Sequence, residues 1–174
     1  MKRWKSVAGV AGCLAVFGAI VVAQEHAHKP GPPPPPPPVK HLMQTPDQLK
    51  WGPAPPSLPA GAQMAVVSGD PTAKGPFVIR GKFPDGYRVP PHWHPTEENL
   101  TVLSGTLLMG TGDKVDPAAA HTLGAGSFSR IAANVHHYVT AKGETTIQVH
   151  GMGPFAVTYV NASDDPRKKT PPAK

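Results

Sequence analysis

Gly86-Tyr87-Arg88-Val89-Pro90-Pro91-His92-Trp93-His94-Pro95-Thr96-Glu97-Glu98-Asn99-Leu100-Thr101-Val102-Leu103-Ser104-Gly105 is the stretch that decides the fold. Side chains two apart on a strand project from one face, so His92 and His94 aim at a common point. Either Glu97 or Glu98 could add a carboxylate. The residues that follow alternate: Glu98, Leu100 and Val102 share one face, Asn99 and Thr101 the other. The apolar face belongs to the interior, so Glu98 is expected to point in and Glu97 out. Two imidazoles and a carboxylate with free coordination positions suit Fe(II), and also Mn, Zn or Ni.

A second stretch supplies a fourth candidate. Gly126-Ser127-Phe128-Ser129-Arg130-Ile131-Ala132-Ala133-Asn134-Val135-His136-His137 ends on adjacent histidines. His137 shares parity with Val139 and Ala141, whereas His136 shares it with Tyr138 and Thr140. His137 is therefore the inward member, and the expected metal ligands are His92, His94, Glu98 and His137.

Both stretches resemble the paired motifs of the cupins. In the first motif a Gly is followed after five residues by His-x-His, then Glu, then Gly, and Gly86, His92, His94, Glu98 and Gly105 fall in register. The second motif fits in spacing, with Ala132 where Pro is usual, Asn134 for Gly and Ala141 for Asn. Asn tolerates a left-handed backbone almost as Gly does, so the turn survives the exchange. From about Trp51 to Arg167 the chain is similar to small single-domain bacterial cupins, often exported. The resemblance implies an all-β double-stranded β-helix, or jelly roll, with one divalent transition metal near its centre; it implies no particular reaction.

The rest of the chain agrees with an all-β domain. Short apolar runs recur at 62–68, 77–83, 99–110, 127–131, 137–141, 145–151 and 155–161, separated by Gly-, Pro- and Asp-rich breaks. Many short strands at such spacing indicate a sandwich or barrel. No amphipathic helical stretch of useful length occurs. His121 and His150 match neither motif, and His150 is expected outside or behind the ligands.

The chain has 174 residues and a formal net charge of +6. The charge belongs to the ends: residues 45–165 hold eight Lys and Arg against ten Asp and Glu. A nucleic-acid surface needs its basic stripe on the folded part, so that partner class is excluded. Residues 1–23 read as a signal peptide, with a basic start at Lys2, Arg3 and Lys5, an uncharged apolar stretch and a cleavage site after Ala23. Its cleavage would leave no membrane span and direct the protein to the periplasm or the extracellular space. The sole cysteine, Cys13, lies in that segment, so the mature domain has neither a disulfide nor a thiol nucleophile. Residues 24–44 read as a Pro- and His-rich linker. Its seven prolines, Pro32 to Pro38, favour a polyproline rod of roughly 20 Å. Residues 45–165 form the expected barrel and 166–174 a basic disordered tail.

Two functions are consistent with this pattern: a metalloenzyme with oxygenase- or isomerase-like chemistry on a small molecule, or a non-catalytic module that binds or senses one. The pocket is expected to be lined by Phe83, Leu100, Val102, Met109, Phe128 and Val139. Tyr87 and Arg88, near its rim, together with Phe128, are candidates for substrate binding. The segment from Thr45 to Ala60 is a candidate exchange arm in a homodimer.

Overall fold

The computed structural model describes residues 41–168. The signal segment, the proline run and the tail beyond residue 168 lie outside the described residues, and of the expected linker only residues 41–44 lie within them, all exposed. The strands are β1 (Gly52–Pro53), β2 (Gln63–Ser68), β3 (Gly75–Phe83), β4 (Arg88–Trp93), β5 (Glu98–Thr111), β6 (His121–Gly124), β7 (Phe128–Ile131), β8 (His137–Gly153) and β9 (Thr158–Tyr159). All pair antiparallel in one curled sheet.

The frame is the long β5–β8 ladder, which runs from Glu98 opposite Gly151 to Thr111 opposite His137. The far edge of β8 pairs with β3 along one half and with β4 along the other, while β5 pairs with β7 and β6. Period-2 burial follows from the sequence. On β3, Phe77, Ile79, Gly81 and Phe83 are buried in alternation, and on β8 His137, Val139, Ala141, Thr145, Ile147 and Val149 are. The apolar members of this set, with Leu100, Val102, Leu107 and Met109 of β5, make one core.

The ladder bends at its middle. The expectation of two strands, 137–141 and 145–151, is corrected here, because Lys142 and Gly143 interrupt neither and β8 is continuous. Register shifts lie between Val102 and Thr106, so inward residues change from Glu98, Leu100 and Val102 to Leu107 and Met109. Gly105 and Gly143 have left-handed backbone, φ 78° and 73°. A Cβ on Gly105 would lie 2.8 Å from Thr145 Cα and nearer still to the Glu144 carbonyl. Thr145, wholly buried, ties the bend: its Oγ1 donates toward the carbonyls of Thr106 (2.9 Å) and Gly143 (3.1 Å) and accepts from Thr106 N–H (3.2 Å). A buried hydroxyl so engaged supplies the hydrogen bonds that a regular ladder would have made there.

Two smaller differences from the sequence pattern have local causes. Residues 155–161 yield only the two-residue β9, because the segment before it turns inward as cavity wall. β6 matches none of the apolar runs, since His121-Thr122-Leu123-Gly124 has one apolar residue to signal it. The segment before β2 packs on the barrel, β1 pairing with β2 and the Tyr87 and Tyr159 hydroxyls donating to the carbonyls of Pro59 (2.6 Å) and Ser57 (2.9 Å). At the other end, Arg167 pairs with Asp165 (2.8 Å) and donates to the Val157 carbonyl (3.1 Å), so Pro166–Lys168 forms a 3-10 turn fastened to the barrel. No helix among the described residues is long and apolar enough to cross a membrane.

Candidate metal centre

His92 lies in β4 opposite His137, the first residue of β8. His94 follows β4, and Glu98 opens β5. All four are buried. One ring nitrogen from each histidine lies within 4.8 Å of the others. Glu98 Oε2 lies 3.2 Å from His137 Nε2 and 3.8 Å from His94 Nε2.

The backbone fixes which nitrogen faces the centre. Nδ1 of His92 meets the Pro90 carbonyl at 2.8 Å, that of His94 the Ala156 carbonyl at 2.8 Å, and that of His137 the Val135 carbonyl at 3.0 Å. A carbonyl only accepts, so each Nδ1 carries the hydrogen and each neutral ring presents a bare Nε2. Phe155 stacks on His94 with centroids 4.0 Å apart. At the turn before His137, Asn134 adopts φ 64° and donates its N–H to the His94 carbonyl (2.8 Å), so the non-Gly residue expected to tolerate this turn does take the left-handed conformation.

The arrangement lacks donors. Three imidazole lone pairs and a carboxylate converge in a buried volume, and Glu98 Oε2 has no hydrogen-bond partner. Uncompensated acceptors in the interior are costly unless a cation or proton joins them. Burial, with the neighbouring His137 and His94, pushes His92 down to about 3, and burial lowers His94 despite the Glu98 carboxylate. Burial alone would raise Glu98 and lower His137. Their mutual contact outweighs it, with Glu98 held below the usual carboxylate range and His137 above the usual imidazole range. The donor set fits one transition ion: imidazole nitrogens take such ions at about 2.0–2.1 Å and a carboxylate completes the set, with second-sphere carbonyls orienting the rings.

The sequence neighbours Glu97 and His136 face away from the cluster. Glu97 lies 3.9 Å from Arg130, and His136 meets Asp113 at 2.6 Å, both at the surface. His150 and His121 lie outside the cluster.

A cavity of about 430 Å³ stands on the cluster. Its lining grades from exposed Pro53, Pro55, Val66 and Thr72 at the mouth to buried His92, His94 and Glu98 at the floor. Phe83, Leu100 and Val139, expected to line it, do so; Val102 lies in the core, and Met109 and Phe128 line a separate hollow beside β5, β6 and β7. Register explains Phe128: it pairs with Thr101 on the outer face and is 55% exposed. Tyr87 is buried, stacked on Phe83 at 4.8 Å, and its hydroxyl is spent on Pro59. Arg88 is exposed and outside the cavity. A β-bulge at Pro90 and Pro91 accounts for this: β4 pairs Val89 with Val139 but His92 with His137, so an extra residue intervenes and parity reverses. Val89 faces the cavity with the histidines, and Arg88 does not. Sequence reasoning misses Phe155 and the walls contributed by Pro53, Pro55, Leu58 and Met64; two prolines before His-x-His are the available signal for the bulge.

The model of the family described as "Cupin domain" matches residues 80–151. That span contains His92, His94, Glu98 and His137 and the whole bent ladder up to Gly151. Residues 80–151 are a cupin domain. Among solved structures, this cupin is similar to an RmlC-like cupin from Shewanella frigidimarina (TM-score 0.51, 12% identity, 65% of this chain and 91% of that one). It is also similar to a candidate acetylacetone dioxygenase from Methylibium petroleiphilum (0.58, 19%, 74% and 86%) and to a polyketide cyclase from Streptomyces resistomycificus (0.58, 17%, 73% and 90%). At these identities the likeness is one of fold. Comparison with the curated proteins gives no match.

Proposed function

We propose that this cupin is an exported metalloenzyme that binds one divalent transition metal through His92, His94, Glu98 and His137 and acts on a small molecule in the cavity above them. One observation carries the reading: three imidazole rings and a carboxylate converge in a buried cluster, of which His92, His94 and Glu98 form the floor of a cavity with a mouth. A bound Fe, Mn, Zn or Ni would supply Lewis acidity, and with Fe or Mn redox capacity, at coordination positions the four ligands leave open.

The chain's own residues do the remainder. The Pro90, Ala156 and Val135 carbonyls hold the rings in one tautomer and orientation. Phe155 limits rotation of His94, and the apolar wall excludes water from the reacting end of a bound molecule. Among the described residues, no titratable side chain apart from His92, His94 and Glu98 lines the cavity, so a proton transferred at this site is held by one of these groups or by the substrate. Oxygenase- or isomerase-like chemistry is compatible with that, the reaction being set by metal and substrate. The same lack of a separate acid or base favours a second reading, a non-catalytic binder or sensor. Metal analysis of protein purified without added metal tests the first claim, with about one equivalent expected in the wild type and none in His137→Gln. Turnover of a small-molecule panel with Fe(II) or Mn(II) then separates enzyme from binder: conversion that His137→Gln abolishes establishes the enzyme, and binding without conversion establishes the sensor.

A further inference from the structure

We infer that the cavity selects a molecule with a hydrophobic body and one oxygen-donor head, and rejects polyhydroxylated and multiply charged molecules. The head group rests on the metal reading above; the body rests on the wall alone. Above the floor the wall is made by side chains such as Leu58, Met64, Ile79, Phe83, Val149 and Phe155. Among the described residues, its only polar side chains beyond the floor are Ser57 and Thr72, and Thr72 Oγ1 already donates to Asp70 at 2.7 Å. A polyol in this space would bury hydroxyls without partners, at about tenfold or more in affinity for each.

The cations of the wall strands are all turned away. Arg80 and Lys82 alternate with Ile79, Gly81 and Phe83, which face the cavity. Arg80 donates to Gln148 (3.1 Å), and Lys82 lies over the Trp51 ring (4.3 Å). Arg88 is placed outside by the bulge in β4. Among the described residues, no side chain in the lining can therefore neutralise a second or third anionic group. The one place for charge is the floor, where a divalent ion with the single carboxylate of Glu98 leaves a net positive centre that one anionic or polar oxygen satisfies. A volume of about 430 Å³ accommodates such a molecule.

The test uses the full chain, loaded with Mn(II) or stripped by chelator, and the neutral fluorophore N-phenyl-1-naphthylamine, with octanoate, octan-1-ol, glucuronate and citrate as competitors. Expected are one fluorophore site in both forms, displacement by octanoate at least tenfold better than by glucuronate or citrate, and at least tenfold weaker octanoate binding after stripping. Octan-1-ol should differ less than threefold between the two forms. Val157→Trp, which fills the cavity from a segment outside the strands, should abolish fluorophore binding while retaining the melting temperature. Leu58→Asn, on the arm, should weaken it at least fivefold and decides the matter if the first variant does not fold. Equal competition by glucuronate or citrate overturns the inference, as does fluorophore binding unchanged in the folded variants. If Mn(II) does not bind but the fluorophore and octan-1-ol results hold, the metal reading fails and the apolar selectivity stands.

Discussion

Glu98 and His137 stand at opposite ends of the β5–β8 ladder, yet their side chains approach to 3.2 Å. Glu98 pairs across from Gly151, His137 across from Thr111, and only the bend at Gly105 and Thr145 returns one end of the ladder over the other. The site is thus a direct product of the curl: the fold joins two strand ends that a flat ladder would hold far apart.

Neighbouring residues should separate cleanly in metal retention. Glu98→Gln and His137→Gln should lose bound metal on dialysis, whereas Glu97→Gln and His136→Gln should keep it and change stability by only about 0.5 kcal/mol, since Glu97 and His136 face Arg130 and Asp113 at the surface. Metal content of the four variants by mass spectrometry checks this; loss from either surface variant would contradict the ligand set.

In the metal-stripped protein, stability should fall as pH drops from 7 to 5. His92 is held down to about 3 and His94 is also lowered, so below about 6.5 the unfolded chain takes protons that these two residues refuse in the native state. The unfolded state then binds more protons, and stability declines with falling pH. His137, raised, is protonated in both states toward the acid end of this window, and the contribution of Glu98, depressed, is lost only at lower pH. For His92 the loss by pH 5 is at most about 2 kcal/mol. Thermal melts of the chelated wild type should show the slope, and His92→Gln should flatten it; an unchanged melting temperature across this range would refute the assignment.

Alternation makes the inner members of both adjacent pairs, Glu98 and His137, legible in the sequence itself, because each travels with apolar residues two positions on. Two expected cavity residues, Arg88 and Phe128, lie elsewhere for identifiable reasons. At Pro90 and Pro91 a bulge resets parity between Val89 and His92, and nothing local to β7 announces that Phe128 will register with Thr101 on the outer face. The continuity of β8 through Gly143 is hidden as well, since a glycine that ends a strand and one that bends it look alike in sequence. The cavity wall from Pro53 to Leu58 depends on hydrogen bonds spanning up to 102 residues, such as Tyr159 to Ser57, and such long-range closure leaves no trace in a local pattern.

The bend should be the most sensitive point away from the ligands. Gly105→Ala adds a Cβ against the Glu144 backbone at a left-handed φ, and Thr145→Val strips the Thr106 N–H and carbonyl of their partner. Each should cost about 2 kcal/mol or more, measured by chemical denaturation. Because the bend sets the Glu98–His137 approach, both should also weaken metal retention; destabilisation without any change in metal affinity would show that the ladder curls independently of this point.

Export predicts a definite mass. If the segment ending at Ala23 is removed, intact-mass measurement of protein from the cell envelope should give a chain beginning at Gln24, and the full-length mass or a lipid-modified Cys13 would exclude that processing.

The arm that forms one side of the cavity mouth is held by two tyrosines. The Tyr159 hydroxyl donates to Ser57 and the Tyr87 hydroxyl to Pro59. Burial pushes Tyr87 up to about 12 and Tyr159 further, so both remain protonated donors through ordinary alkaline conditions. Removing either hydroxyl leaves a carbonyl in the packed arm without its donor while the ring still fills its place. Tyr159→Phe and Tyr87→Phe should therefore each cost about 1 kcal/mol, or about 3–5 °C in melting temperature for a domain of this size. They should also accelerate amide exchange in the arm, at the N–H groups of Ala54 and Leu58 that now bond Ala62 and Pro55, while leaving the β5–β8 ladder as protected as before. Exchange that rises equally in arm and ladder would show that the tyrosines support the barrel as a whole. Exchange confined to the arm identifies the wall at the mouth as the part of the barrel that opens first.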